Sequence, residues 1–142
     1  MKTYVDTSFL VSLYSPDANS KSAASVMQAS QGEHLVTTFA ELELVNALQL
    51  RIFRKELSAA QAQSSLQAFA EDLRNRAFQL TPLPEQTLER ARQLSIQTTA
   101  RLGTRTADLV HVAAALELAA DRVYSFDKQQ RKLAQSLHLK LN

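Results

Sequence analysis

Apolar residues along the chain alternate between short β-branched runs and the three-and-four spacing of a helix, and each change of spacing predicts an element boundary. "KTYVD" opens as a strand and "TSFLVSLY" continues as a helix, with Phe9, Leu10 and Leu13 on one side. Ser15 followed by Pro16 predicts an N-cap and a first helical proline, hence a second helix through about Gln28, closed by Gly32. "HLVTTF" is the next strand. The helix after it, "AELELVNALQLRIFRKEL", carries a stripe of Leu44, Val45, Leu48 and Ile52.

Ser58 and Gln61 have the spacing of a capping box at the head of "AAQAQSSLQAFAEDLRNR", whose Leu66, Phe69 and Leu73 face inward. The strand "FQLTPL" follows. Pro84 introduces the helix "EQTLERARQLSIQTTARL", which Gly103 stops. "GTRTADLVHVAAALELAA" is a further helix with an apolar side. The chain then runs through the strand "RVYSFD", the helix "KQQRKLAQSL" and the strand "HLKLN". Strands that alternate with helices favour a parallel sheet, because parallel neighbours need crossover connections and helices supply them. The fold class expected is α/β, with helices on both faces of the sheet.

Composition narrows the chemistry. The 142 residues suit one domain, 1–142, and 45% hydrophobic content furnishes a core. The absence of cysteine removes disulfides, thiolate nucleophiles and cysteine-ligated zinc. Asp6 and Ser12 interrupt the apolar start, so it reads as mature structure and not as a signal peptide. No stretch approaches the roughly 18 apolar residues of a membrane span, and a cytoplasmic protein with no membrane partner is expected.

Four acids stand out by position. "TYVD" and "VYSFD" both finish in an aspartate, Asp6 and Asp127, and parallel strands would bring both to the carboxyl rim where open α/β sheets bind ligands. Asp108 and Glu43 each lie in the first turns of a helix, and helix starts point to that same rim. Taken singly, Asp6 and Asp127 are ordinary helix caps, Asp108 a dipole-favoured acid and Glu43 a surface glutamate. Taken together, converging carboxylates repel and would not all stay ionised without a cation. Oxygen-only ligation points to magnesium or manganese, and such ions suit hydrolysis of a phosphodiester.

"YVDTSFLVSLY", "ELVNAL" at 43–48, "ADLVHVAAALEL" at 107–118 and "VYSFDKQQRKLA" at 123–134, in this order and at these spacings, resemble the PIN-domain ribonucleases, more narrowly the VapC-type toxins of toxin-antitoxin pairs. The resemblance implies a PIN-like three-layer sandwich with about five parallel strands in the order 3-2-1-4-5. It also implies an Mg2+- or Mn2+-dependent endoribonuclease, held inactive by a cognate antitoxin protein and forming a homodimer. Asp6 and Asp108 would be direct metal ligands, with Glu43 and Asp127 binding directly or through water. Thr7, Ser8 and Ser125 would supply supporting hydroxyls, and Asn46 a supporting amide. His111, one turn after Asp108, is expected to pack or hydrogen-bond in place of acting as a catalytic base.

The net charge of +2 is a weak pointer to nucleic acid by itself. With four of the 14 acids assigned to the site, ten remain against 16 lysines and arginines. Arg101, Arg105, Lys128 and Arg131 flank the proposed acids and are the expected RNA contacts, of the kind that grip phosphate without reading sequence. Three tyrosines and six phenylalanines, with no tryptophan, give no visible platform for base stacking. Receiver-like and dehalogenase-like phosphoryl-transfer domains would need a further acid near Asp6, where Thr7 and Ser8 stand. An inactive PIN-like module that only binds RNA or a partner is the remaining alternative, and four filled acid positions weigh against it.

Overall fold

The computed structural model describes residues 1–142. Five parallel strands, β1 (Lys2–Val5), β2 (Glu33–Thr37), β3 (Gln79–Thr81), β4 (Arg122–Tyr124) and β5 (Lys140–Leu141), form one sheet in the order β3-β2-β1-β4-β5. This is the order expected, with β1 between β2 and β4 and the direction of winding reversing beside it. The helices are α1 (Thr7–Tyr14), α2 (Ser20–Ala29), α3 (Thr38–Phe53), α4 (Ala59–Arg74), α5 (Thr87–Leu94), α6 (Ala100–Leu102), α7 (Thr106–Glu117) and α8 (Lys128–Ser136). None is long and apolar enough to cross a membrane.

Side chains alternate across a strand, so β1 and β4 each feed two cores. Tyr4 and Val123 join Leu109, Val112 and Leu133 on the α5, α7 and α8 face. Their neighbours Val5 and Tyr124 join Phe9, Leu10, Leu44 and Leu48 on the α1, α3 and α4 face. A buried sheet between two helical layers follows. α7 is buried without a break from Asp108 to Ala115, so it has no solvent side where the sequence suggests one, and its three consecutive alanines suit that crowding.

Local signals mark several boundaries well. Ser58 Oγ accepts from Gln61 N at 3.1 Å while Gln61 Oε1 accepts from Ser58 N at 2.9 Å, the reciprocal cap expected. Gly103 ends α6 at φ 68°, the left-handed conformation that glycine adopts without a Cβ penalty.

Three expectations are corrected. α2 begins at Ser20, not at Pro16: Ser15 instead closes α1, its N–H donating to Val11 O at 2.9 Å, and residues 16–19 form a turn in which Asp17 accepts from Asn19 N. The helix expected over 85–102 starts at Thr87 and passes through a π-helical segment at Ser95–Thr99, where Thr98 Oγ1 donates back to Leu94 O at 2.7 Å. β4 ends at Tyr124, so Asp127 is not its last residue but the N-cap of α8.

Candidate metal and nuclease site

Asp6, Glu43, Asp108 and Asp127 all line one polar pocket of about 310 Å³ at the carboxyl ends of β1 and β4, together with Thr7, Ser8, Arg105, His111 and Gln130. A larger cavity, about 650 Å³, lies elsewhere against Val26, Arg122 and Tyr124 and has no acidic side chain in its wall. Convergence of carboxylates, not volume, marks the site.

Asp6 follows β1 and caps α1, accepting from Phe9 N at 2.9 Å. Ser8 Oγ donates to both of its oxygens, at 2.8 and 2.9 Å, and Ser125 Oγ donates to Oδ2 at 2.7 Å. The residue is 1% exposed and has no lysine or arginine within ion-pair distance. Burial pushes its pKa up, against the opposing influence of neighbouring His111 and the Phe9, Ser125 and Ser8 hydrogen bonds. The two serines also brace the neighbouring backbone, since Ser8 Oγ accepts from Phe126 N at 2.9 Å and Ser125 Oγ from Asp127 N at 3.0 Å. They tie the chain around Asp127 to the start of α1.

Asp127 caps α8 with Oδ1, which accepts from Gln129 N and Gln130 N, both at 3.0 Å. Asp108, in the first turn of α7, accepts from Arg105 N at 3.0 Å. The Arg105 guanidinium then spans the two acids, with Nε 3.3 Å from Asp108 Oδ2 and a terminal nitrogen 2.5 Å from Asp127 Oδ2. Its side chain remains 67% exposed. Asp6 and Asp127 are therefore the helix caps that each suggests in isolation, and members of the shared pocket as well.

Glu43 Oε1 accepts from Thr7 Oγ1 at 2.7 Å and lies 2.5 Å from His111 Nε2. Burial pushes its pKa up, but the His111 and Thr7 hydrogen bonds and nearby positive charge outweigh that and hold it below its usual range. Behind the pocket His111 Nδ1 is 2.8 Å from Tyr4 Oη, which is 3.2 Å from Thr37 Oγ1. His111 itself is 3% exposed and packs between the Tyr4 and Phe39 rings.

The other expected residues divide. Thr7 places its hydroxyl on Glu43, and Ser8 and Ser125 place theirs on Asp6. Asn46 is exposed on α3 and is absent from the pocket wall. Arg101 and Lys128 are exposed with no ion-pair partner, whereas Arg105 is engaged by the site acids. Arg131 donates to Ser125 O at 2.8 Å and to Asn142 Oδ1 at 3.0 Å.

Nothing in the sequence singles out Tyr4, Thr37 or Gln130. Tyr4 lies in an apolar strand pattern, Thr37 precedes a helix as any cap would, and no local feature distinguishes Gln130 from Gln129. The structure places Gln130 in the pocket wall, 2% exposed, with Nε2 buried and lacking a hydrogen-bond partner.

The donor set suits a hard divalent cation: four carboxylates, no thiolate, and a buried Asp6 that has neutral donors but no balancing lysine or arginine. As the side chains stand, no three acidic or imidazole groups surround a single point. Arg105 holds Asp108 and Asp127 to itself, so a cation bound there would have to compete with its exposed guanidinium for the same oxygens.

The family model of the PIN domain matches residues 3–136. No curated protein matches the sequence. Among solved structures, VapC20 of Mycobacterium tuberculosis, a sarcin-ricin loop cleaving toxin, superposes with a TM-score of 0.72 at 17% identity, over 92% of this chain and 93% of that one. VapBC2 of Rickettsia felis, bound to a DNA fragment from its promoter, gives 0.68 at 16% identity, over 100% and 98% of the two chains. A toxin-antitoxin complex from Klebsiella pneumoniae gives 0.63 at 14% identity, over 90% and 88%. At these identities the likeness is one of fold.

Proposed function

The chain belongs to the PIN-domain family, and from that premise we propose that it is an Mg2+- or Mn2+-dependent endoribonuclease, the toxin of a toxin-antitoxin pair. The observation that carries the proposal is the meeting of Asp6, Glu43, Asp108 and Asp127 in one pocket, with Asp6 buried and without a lysine or arginine partner. An inactive module that merely binds RNA would gain nothing from keeping such a charge buried, since desolvating an ion costs several kcal/mol.

Asp6 and Asp108 would hold the cation directly, and Glu43 and Asp127 directly or through water. When bound, the ion supplies a water acidified for attack and neutralises charge developing on the phosphate. The chain's own residues prepare that event. Ser8 and Ser125 fix both oxygens of Asp6, while Thr7 and His111 fix Glu43. Freed from Asp108 and Asp127, Arg105 has the reach and charge to take a phosphate of the RNA. Arg101 and Lys128 extend that basic margin. Arg131, tied to Ser125 and Asn142, contributes mainly by steadying the turn that carries Asp127.

A cognate antitoxin and a second copy of the chain are the partners proposed. Two of the similar structures are named as a toxin and as a toxin-antitoxin complex, which supports the first. Exposed Phe53, Leu88 and Ile96 give apolar surface for association. The test is cleavage of RNA by purified, partner-free protein in Mg2+, in Mn2+ and in chelator. Metal-dependent cleavage that Asp108→Asn abolishes is expected; unchanged cleavage in chelator refutes the proposal. Growth arrest on expression, relieved by the same substitution, separates a toxin from an inert binder.

A further inference from the structure

Three polar side chains from three different elements stand in line behind Glu43. Thr37 caps α3 at the end of β2, Tyr4 lies in β1, and His111 lies in α7. Thr37 and Tyr4 are fully buried and neither lines the pocket. The separations are 3.2 Å from Thr37 Oγ1 to Tyr4 Oη, 2.8 Å from Tyr4 Oη to His111 Nδ1, and 2.5 Å from His111 Nε2 to Glu43 Oε1.

The direction of this line follows from counting hydrogens. Thr37 Oγ1 already accepts from Ala40 N at 3.2 Å. If Tyr4 also donated to Thr37, the Thr37 hydroxyl hydrogen would be buried with no acceptor, a loss of about 1–3 kcal/mol. If Thr37 donates to Tyr4, every hydrogen finds an oxygen or nitrogen: Tyr4 donates to His111 Nδ1, and His111 Nε2–H donates to Glu43 Oε1. Burial pushes the Tyr4 phenol up, so it keeps the proton that it must donate. Thr7 Oγ1, 3.3 Å from Nε2 and donating to the same Glu43 oxygen, fits a protonated Nε2.

Both donors reach Glu43 through Oε1. Oε2 has no protein partner. We propose that Thr37, Tyr4 and His111 form a one-way relay of donors that fixes the His111 tautomer and saturates Glu43 Oε1, keeping Oε2 as the oxygen free for a divalent cation. Tyr4 and Thr37 are then positioning residues for a site that they do not touch. The proposal rests on the metal-dependent function above and adds to it how one ligand is aimed from behind.

Two measurements on the full chain separate the relay from that function. Imidazole nitrogen NMR on metal-free protein reads the tautomer: His111 protonated at Nε2 with Nδ1 as acceptor is expected, and hydrogen on Nδ1 overturns the relay. Calorimetric titration with Mn2+ reads its consequence. Tyr4→Phe, which keeps the ring, should weaken Mn2+ binding about tenfold and let the tautomers mix, with thermal melting monitored to show that the fold is retained. His111→Gln, whose amide donates from near the Nε2 position, should bind within about threefold of wild type, while His111→Leu should fall at least as far as Tyr4→Phe. Wild-type affinity in Tyr4→Phe, beside a wild type that binds, overturns the relay and leaves the nuclease function standing. A wild type that binds no Mn2+ overturns both.

Discussion

Asp6→Asn should strengthen the metal-free fold and weaken the metal-loaded one. Wild-type Asp6 is 1% exposed and its carboxyl pKa is raised, chiefly by burial. In the unfolded chain it titrates near 3.8, so between that pH and the higher folded value the folded state binds more protons than the unfolded state. Stability therefore falls as pH rises through that window, and at neutral pH burying this carboxyl costs stability. Asparagine removes the charge. Its Oδ1 still accepts from Phe9 N and Ser8 Oγ, but the NH2 in place of Oδ2 cannot accept from the Ser125 hydroxyl, a loss of about 1 kcal/mol. Against an ionic desolvation cost of several kcal/mol, the balance is a gain of about 1 kcal/mol, or about 3 °C in melting temperature for a domain of this size.

The gain should vanish near pH 3, where Asp6 is protonated in both states. With Mn2+ at about a hundred times its Kd, the wild type should gain about 2.7 kcal/mol from binding, and Asp6→Asn almost none. The two melting curves should therefore change order when metal is added. Differential scanning fluorimetry at pH 7, with and without Mn2+, and again at pH 3 without it, measures all three. A variant less stable than wild type without metal would show that Asp6 is no buried liability, and one stabilised by metal as much as wild type would show that it is no metal ligand.

Glu43→Gln should behave with the opposite sign. The folded pKa of Glu43 is below its usual 4.5, so its contribution is present above that pH and is lost as pH falls through the folded value. The variant should lose about 1 kcal/mol at pH 7, and the loss should shrink as pH falls below 4.5, read by urea melts. Arg105→Gln releases Asp108 and Asp127 from a mostly exposed ion pair of at most about 1 kcal/mol, so Mn2+ affinity should rise by up to about fivefold in titration calorimetry. Gln130→Leu replaces a buried amide whose Nε2 has no partner, and should raise stability by about 1 kcal/mol in the same urea melts. Arg101→Ala and Lys128→Ala should weaken RNA binding without changing which sequences bind, each lowering the salt dependence by about one ion, read by filter binding across a salt series.

The layered fold was legible because its signals are local and repeated: "TYV" and "RVY" as strand patterns, the Ser58 and Gln61 cap, Gly103 at a left-handed helix end. The four acids were legible for a different reason, since strand and helix ends in a parallel sheet share a rim. Asp127 reaches that rim as a helix cap, not as a strand end, and arrives at the same place. Pro16 misleads because Asp17 offers the backbone a competing turn. The π-helical segment is hidden because Ser95–Thr99 carries no glycine or proline to mark it. The relay is illegible for a physical reason: Thr37 and His111 lie 33 and 107 positions from Tyr4, and the three meet only in the packed core. Arg105 has the opposite problem, since an arginine beside the proposed site acids suggests a phosphate contact, while its nearest partners are Asp108 and Asp127.

Everything proposed for this site depends on its four carboxylates holding a divalent cation. Anomalous diffraction at the manganese edge, from crystals grown with Mn2+, would locate that ion. A manganese peak is expected between Asp6 and Asp108, with Glu43 Oε2 facing it and Arg105 withdrawn from Asp108 and Asp127. A pocket without a manganese peak, with Arg105 still bridging both acids at saturating Mn2+, would show that the carboxylates serve Arg105 and not a metal.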